Sequence, residues 1–258
     1  MKKLFVISDV HSFLTPLKKA LDEAGFDPEN KDHWLISCGD LFDRGPESKE
    51  LLHYIMSLER KILVKGNHDI LLKTLCIREF PYSHDLHNGT AKTVEDLGDS
   101  GQPFHEKCQR TFDRTARYRE LLVNYFETEN YIFVHSWIPL NVMYHKGASK
   151  PWHQDNKTYE YREDWRKANE TAWEEAMWGN PFIHYINGMN KTGKTIVFGH
   201  WHCSTGHRLA GNCKTEFEED AVWDPFYGDN IIGIDRCTAH TGEVNVLVLE
   251  DEFITGEK

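Results

Sequence analysis

Short apolar runs recur along the chain at 4–8, 34–37, 62–64, 131–134, 195–198, 231–234 and 244–249, and several close on Gly, Asp or His. Runs of this length read as strands. Between the early ones the period changes. Residues 15–24 carry Leu17, Ala20, Leu21 and Ala24 at helical spacing behind Leu14. Residues 46–58 open with Pro46 in a first-turn position and carry Leu51, Leu52, Ile55 and Met56. Strand–helix alternation at the start predicts β-α-β units, and the strand-rich end predicts a second, more antiparallel sheet. The stretches 76–120 and 138–180 are polar and aromatic and follow neither period, apart from a turn expected from Gly98 to Pro103. No repeat, low-complexity tract or linker interrupts the pattern. The expectation is therefore one domain over 1–258, with cap-like insertions around 76–120 and 138–180 over a site.

Composition narrows the class. The chain has 258 residues and 40% hydrophobic residues, which is ordinary for a globular protein. No apolar run approaches the ~20 residues that cross a bilayer. The opening Met1-Lys2-Lys3 and the apolar run after it end at Asp9, so this segment reads as a first strand rather than a leader. Cys38, Cys76, Cys108, Cys203, Cys213 and Cys237 form no C-x-x-C pair, which argues for free thiols in a reducing, cytoplasmic setting. A net charge of −11 disfavours nucleic acid as a partner. It does not exclude phosphate chemistry, because two bound divalent cations reverse the local field.

The residues able to bind metals gather where the strand-like runs end. Asp9 and His11 follow the first run; Asp40, Asp43 and Arg44 the second; Asn67 and His68 the third; His135 the fourth; His200 and His202 the fifth. In α/β sheets ligands bind off the carboxyl ends of strands, so these segments can converge on one crevice. Asp9/His11 and His200/His202 are each two residues apart, a spacing that in extended chain points both side chains the same way. Gly39, Gly66 and Gly199 each precede a candidate ligand and would let the backbone come close to a crowded centre. Carboxylate, imidazole and amide donors without thiolate suit Mn, Fe or Zn in a catalytic site. The seven candidates Asp9, His11, Asp40, Asn67, His135, His200 and His202 are too many for one tetrahedral ion and suit two ions bridged by a carboxylate. Asp40, central in the set, is the natural bridge.

These segments together resemble the calcineurin-like metallophosphoesterases. They are Ser8-Asp9-Val10-His11, Gly39-Asp40-Leu41-Phe42-Asp43-Arg44-Gly45, Gly66-Asn67-His68-Asp69, Val134-His135 and Gly199-His200-Trp201-His202. Gly-Asp-x-x-Asp-Arg-Gly is similar to the protein serine/threonine phosphatase branch, shared with symmetrical diadenosine tetraphosphatases. Ile234-Asp235 followed by Thr241-Gly242 is similar to the end of that domain. The resemblance implies an α/β four-layer αββα sandwich with two mixed sheets and the metals at one edge. It implies Asp9, His11 and Asp40 around a first ion, and Asp40, Asn67, His135 and His200 around a second. His202 joins the first ion in the wider superfamily, whereas protein phosphatases usually lack His there. His68 is implied as general acid, Asp43 as the carboxylate that orients it, and Arg44 as the phosphate fork. Protein phosphatases also bring a second phosphate-binding Arg near the position of 176–181, where this chain reads Ala-Met-Trp-Gly-Asn-Pro. Arg162, Arg166, Arg208 and Arg236 are the alternatives.

The leading expectation is a two-metal phosphoprotein phosphatase acting on phosphoserine, phosphothreonine or phosphotyrosine, with manganese the first choice of metal. The alternative is a symmetrical bis(5'-nucleosyl)-tetraphosphatase, whose partner is a nucleotide polyphosphate. The aromatic residues Trp137, Tyr144, Trp152, Tyr159, Tyr161 and Trp165 can stack on a nucleobase or, more plainly, pack the insertion onto the body. A metal-dependent nuclease is disfavoured by the acidity and the lack of a basic stripe. An inactive scaffold is disfavoured because the candidate ligands and His68 are all retained.

Overall fold

The computed structural model describes residues 1–144 and 157–253. In the first sheet β1 (Lys2–Ile7), β2 (His33–Ser37) and β3 (Lys61–Val64) run parallel, joined by α1 (Leu14–Glu23) and α2 (Ser48–Ser57). A two-residue β4 (Leu122–Val123) extends the parallel run. The last strand, β12 (Leu247–Asp251), returns antiparallel along the free edge of β1. In the second sheet β9 (Thr195–His202) lies parallel between β6 (Tyr131–Phe133) and β11 (Ile231–Asp235). Antiparallel β5 (Phe126–Glu127) and β10 (Phe226–Gly228) form its edges. Both sheets are mixed. In these two sheets each expected strand is present, the last shifted to Leu247–Asp251, and β4, β5 and β10 are additions too short to leave a period.

Alternation along the strands builds the layers. Leu4 and Val6 point toward the other sheet and meet Ile36, Val64, Phe133, Val197 and Ile234. Phe5 and Ile7, one residue out of step, point to the opposite face and meet Leu17, Leu21, Leu51 and Ile55 of the helices. On the far side Ile132, Ile196 and Phe198 pack under α8 (Glu170–Met177) and α9 (Pro181–Ile186) through Trp173, Met177 and Phe182. The result is helix, sheet, sheet, helix, as expected, and each fully buried Leu, Ile or Phe contributes roughly 1.5–3 kcal/mol.

The stretch 76–120 is helical. It holds the end of α3 (Asn67–Arg78), then α4 (Ser83–His87), α5 (Thr90–Leu97), α6 (Phe104–Arg114) and α7 (Ala116–Glu120). The turn expected between Gly98 and Pro103 separates α5 from α6. Ala91, Val94, Cys108 and Tyr118 belong to the same buried cluster as Phe5 and Ile7. In the second stretch, residues 145–156, with Trp152, lie outside the described residues. The remainder forms the hairpin β7 (Asn141–Tyr144) and β8 (Lys157–Glu160), a 3-10 turn Trp165–Lys167, and α8. Trp137 and Trp165 are fully buried. Tyr161 packs on their cluster, and Tyr159 meets His184 edge-on at 4.7 Å between ring centres. These aromatics therefore pack the second stretch onto the body. All six cysteines are free and buried. No helix among the described residues is long and apolar enough to cross a membrane.

His184 tests this packing. It lies between Tyr159 and Trp137, is 4% exposed, and its Nδ1 has no hydrogen-bond partner among the described residues. Burial alone pushes its pKa down to about 4, against 6.5 for a free imidazole. Between these values the unfolded chain binds a proton that the folded chain does not. The contribution is therefore intact above pH 6.5 and is lost as pH falls toward 4, by about 3 kcal/mol in full. We expect chemical denaturation to show wild type losing stability over this window relative to His184→Phe. Parallel pH profiles would show the ring to be solvated.

Candidate active site

The carboxyl ends of β1, β2, β3, β6, β9 and β11 all open on one edge, and each delivers a polar residue there. Backbone pairing of β1 with β2 continues past both strands. Asp9 N donates to Gly39 O (3.2 Å), His11 N to Asp40 O (3.1 Å) and Ser12 N to Leu41 O (2.7 Å). The first two ligand loops are thus zipped together by main chain before any side chain is placed. A Cβ at Gly66 would collide with the Asp40 carboxylate, and one at Gly199 with Ser8 and Asp9. The close approach expected of these glycines is a steric requirement.

The backbone at the site is left-handed where an extended chain was expected. Asp9 (φ 51), His11 (φ 50), Ser12 (φ 61), Asp40 (φ 51), Asp43 (φ 75), Arg44 (φ 65) and His200 (φ 66) all have positive φ. Each costs a non-glycine residue about 1 kcal/mol or more, so surrounding packing must over-determine it. Asp9 and His11 reach the site through a tight turn, not through a pleat. The same kink at His200 separates it from His202. His202 Nδ1 faces Glu216 at 3.4 Å, and its ring packs against Phe217 and Trp223.

Two groups of donor atoms gather. His11, Asp40 and His68 form one; Asp40, His135 and His200 form the other; the ligating atoms of each lie within 4.8 Å of one another. Asp40 is common to both. His11 Nδ1 donates to Phe42 O (2.9 Å) and His135 Nδ1 to Cys38 O (2.8 Å), which turns both Nε2 atoms inward. His135 Nε2 lies 2.7 Å from Asn67 Oδ1 and 3.4 Å from Asp40 Oδ2. Asp9 sits beside the first group, 3.9 Å from His11 Nε2, its Oδ2 accepting from the Ser8 hydroxyl and from His200 N (2.8 Å). Of the seven candidate ligands, six thus converge and His202 stands apart.

The site is short of positive charge. Asp9, Asp40, Asp43, Asp69 and Asp235 are all buried there, and among the described residues one arginine, Arg44, faces them. Burial pushes Asp40 up, but His135, His68 and His11 overcome it and hold Asp40 well below the usual carboxylate range. Burial opposes charge on His135 too, yet Asp40 raises its pKa to about 9. Burial, with neighbouring carboxylate charge behind it, pushes Asp9 up and Asp235 well up. Asp69 rises to about 6 for the same leading reason. Burial keeps His11 neutral and takes His200 down to about 3, leaving lone pairs free to coordinate. Oxygen and nitrogen donors with a surplus of buried negative charge fit divalent cations, which would displace the bound protons.

His68 is anchored differently from the rest. Its Nδ1 donates to Asp43 Oδ2 (2.7 Å), its backbone N donates to Asp40 Oδ1 (3.0 Å), and Arg44 Nη2 lies 3.3 Å from its Nε2. Burial disfavours the imidazolium, but Asp40 and the bond to Asp43 outweigh it and raise the pKa. Asp43 is held in turn by the Thr90 and Thr93 hydroxyls, both at 2.7 Å. Sequence reading missed these two threonines, although their i, i+3 spacing behind Gly89 puts both hydroxyls on one helix face. It also missed the buried Tyr118 hydroxyl, which donates to Asp69 (2.7 Å). Each of the four arginine alternatives is paired with a carboxylate. Arg162 pairs with Asp164, Arg166 with Glu127, Arg208 with Glu216 and Arg236 with Asp224 and Glu243. Near the position of the missing arginine stands Trp178, half exposed and 6.3 Å from His200 between ring centres.

Residues 2–232 match the calcineurin-like phosphoesterase family, and the chain belongs to it. The family is a class of binuclear divalent-metal enzymes. Among curated relatives, the symmetrical bis(5'-nucleosyl)-tetraphosphatase of Pseudomonas fluorescens (strain SBW25) is 32% identical over 138 residues, 52% of this chain and 43% of that one. The enzyme of the same name from Thioalkalivibrio sulfidiphilus (strain HL-EbGR7) is 43% identical over 70 residues, 27% of this chain and 25% of that one. The matched segments thus span less than half the length of these relatives. Among solved structures, a protein serine/threonine phosphatase from Saccharomyces cerevisiae is 15% identical with a TM-score of 0.51, over 99% of this chain and 81% of that one. A candidate diadenosine tetraphosphatase is 16% identical with a TM-score of 0.50, over 99% and 95%. At these identities both show the shared fold.

Asp40, common to both donor groups, generates a prediction. Asp40→Asn should lower metal content at both sites together, measured by elemental analysis after dialysis against limiting Mn²⁺. Loss of one equivalent with the other retained would contradict a shared ligand.

Proposed function

We propose that this chain hydrolyses dinucleoside polyphosphates symmetrically, cutting a bis(5'-nucleosyl) tetraphosphate with one water into two nucleoside diphosphates. The observation that carries the reading is the 32% identity over 138 residues with an enzyme of that name. The phosphoprotein phosphatase expected first from sequence becomes the second reading. It shares the 39–45 segment, but its likeness lies in fold, and Arg162, Arg166, Arg208 and Arg236 are each paired with carboxylates.

In this reading Asp9, His11 and Asp40 hold one divalent ion, and Asp40, Asn67, His135 and His200 hold the other. His202 joins the first only by turning from Glu216. Manganese, iron and zinc all match the donor set, with manganese our choice. When bound, the ions supply the Lewis-acid charge that acidifies water and polarises the phosphoryl group. The chain's own residues do the rest. Arg44, exposed at the rim, offers its planar fork to phosphate oxygens. His68, its ring fixed through Nδ1 by Asp43, delivers a proton from Nε2 to the departing oxygen. Asp43 stabilises the charged ring, and Thr90 and Thr93 keep Asp43 in place. The six buried free thiols suit a reducing cytoplasm.

Turnover of diadenosine tetraphosphate and of a phosphoserine peptide, compared at matched Mn²⁺, tests the reading. The dinucleotide should be favoured, with ADP the sole nucleotide product; ATP and AMP, or preference for the peptide, would overturn it. The leaving group provides a second test. A nucleoside diphosphate leaves readily, whereas a serine alkoxide needs a proton. His68→Ala should therefore retain metal and lose about 10²–10⁴-fold on an alkyl phosphate, and less on the dinucleotide. Unchanged alkyl ester turnover would remove His68 from the acid role.

A further inference from the structure

Beside the donor groups, four aromatic rings close into a cluster that the chemistry above leaves unused. His202 lies 5.2 Å from Phe217 and 6.1 Å from Trp223 between ring centres, and Phe217 and Trp223 are 5.9 Å apart. His240 completes it at 5.8 Å from Phe217 and 5.5 Å from Trp223. Phe217 is 51% exposed, and His240 is exposed as well. Phe217, Trp223 and His240 line an open hollow of about 970 Å³, with Lys214 and Thr215 on its wall.

The cluster is rooted in the site. His202 ends β9 two residues beyond His200, opposite Asp235 of β11. His240 lies in α11 (Thr238–Thr241), which follows β11. His200, one of the donor groups, and His202, one of the rings, thus stand two residues apart on the same strand end. The loop that carries the rings is tied down. Lys214 N donates to Asp220 (2.7 Å), the Thr205 hydroxyl to Glu216 (2.6 Å), and Asn245 Nδ2 to Trp223 O (2.8 Å). Exposed aromatic faces held rigidly next to a phosphate-cleaving centre have the chemistry of a stacking platform, which binds flat π-systems with little ordering cost.

We propose that Phe217, Trp223 and His240 form a nucleoside subsite on which a base of the substrate stacks while its phosphates reach Arg44 and the donor groups. This rests on the dinucleotide reading. A cationic side chain is the competing occupant, since Glu218 and Glu219 lie nearby. Asp220 and Glu216 are already engaged, and the rings offer flat faces for stacking, so the base is the better fit.

The test uses Mn²⁺-loaded full-length protein and equilibrium binding, independently of turnover. ADP should bind more tightly than inorganic pyrophosphate, with quenching of tryptophan fluorescence. Phe217→Ala and His240→Ala, both at exposed positions, should weaken ADP about fivefold or more and leave pyrophosphate unchanged. Trp223→Phe, which keeps a stacking face, should retain most of the affinity, whereas Trp223→Ala should not. ADP binding no tighter than pyrophosphate, or equal weakening of both probes, would overturn the subsite. So would variant-sensitive binding of a lysine-rich peptide in place of ADP. Failure of the parent reading looks different: wild type binds ADP through these rings yet does not cut diadenosine tetraphosphate. If wild type cuts the dinucleotide and the variants keep its KM, the platform alone is wrong.

Discussion

Asp40 is pulled in two directions, and much of the site depends on how that is resolved. Burial at 2% exposure favours the neutral acid, while His135, His68 and His11 favour the carboxylate and prevail. Its two oxygens then serve different neighbours. Oδ1 takes the backbone N–H of His68 at 3.0 Å, and Oδ2 lies 3.4 Å from His135 Nε2. A single buried charge thus fixes the start of α3 and links the two donor groups. It remains charged chiefly because His135 and His68, from two separate strand ends, face it with imidazoles that it in turn draws toward the charged form. Neither sheet alone could provide this: His11 and His68 follow strands of the first sheet, and His135 follows a strand of the second.

That dependence explains the strain. Asp9, His11, Asp40, Asp43 and His200 all sit at positive φ, although any of them would be more comfortable in extended backbone. The strain is imposed by the β1–β2 pairing that runs past the strand ends and by glycines that let main chain pass within contact of the carboxylates. Large apolar faces on both sheets offset the cost. Polar residues are affordable at this edge because every strand behind it alternates cleanly between two dry interfaces.

The sequence was most legible where one physical rule acted alone. β1 and α1 show simple periods, and the ligand segments at the strand ends could be named directly. It was misleading where two rules competed. Spacing by two pointed to an extended Asp9–His11 pair, but the crowded centre forces a turn; the same kink at His200 carries His202 away toward Glu216. In α3 the buried face begins with Asn67, His68 and Asp69, while Ile77 is 64% exposed, so no amphipathic stripe marks the helix. The strands β4 and β5, two residues each, carry no pattern at all. Trp178, the threonine pair and Tyr118 were invisible because their meaning lies in contacts distant along the chain.

The least recognisable stretch proves to be coupled to the most recognisable motif. Residues 76–120 follow neither sequence period, yet α5 supplies the two hydroxyls that fix both oxygens of Asp43, and α7 supplies the Tyr118 hydroxyl on Asp69. Gly89 lies against the backbone of Arg44 so closely that a Cβ there would strike it. The motif residues therefore bring the groups with the right chemistry to the edge, and the helices of 76–120 decide how two of them are oriented. Asp43 holds His68 through one oxygen, and that oxygen also accepts from Thr90. Loss of the Thr90 bond would leave the chemistry present while freeing the ring that must be aimed. Orientation of the His68–Asp43 pair is a property of this segment, whereas the donor set is a property of the strand ends. The two can vary independently on one fold.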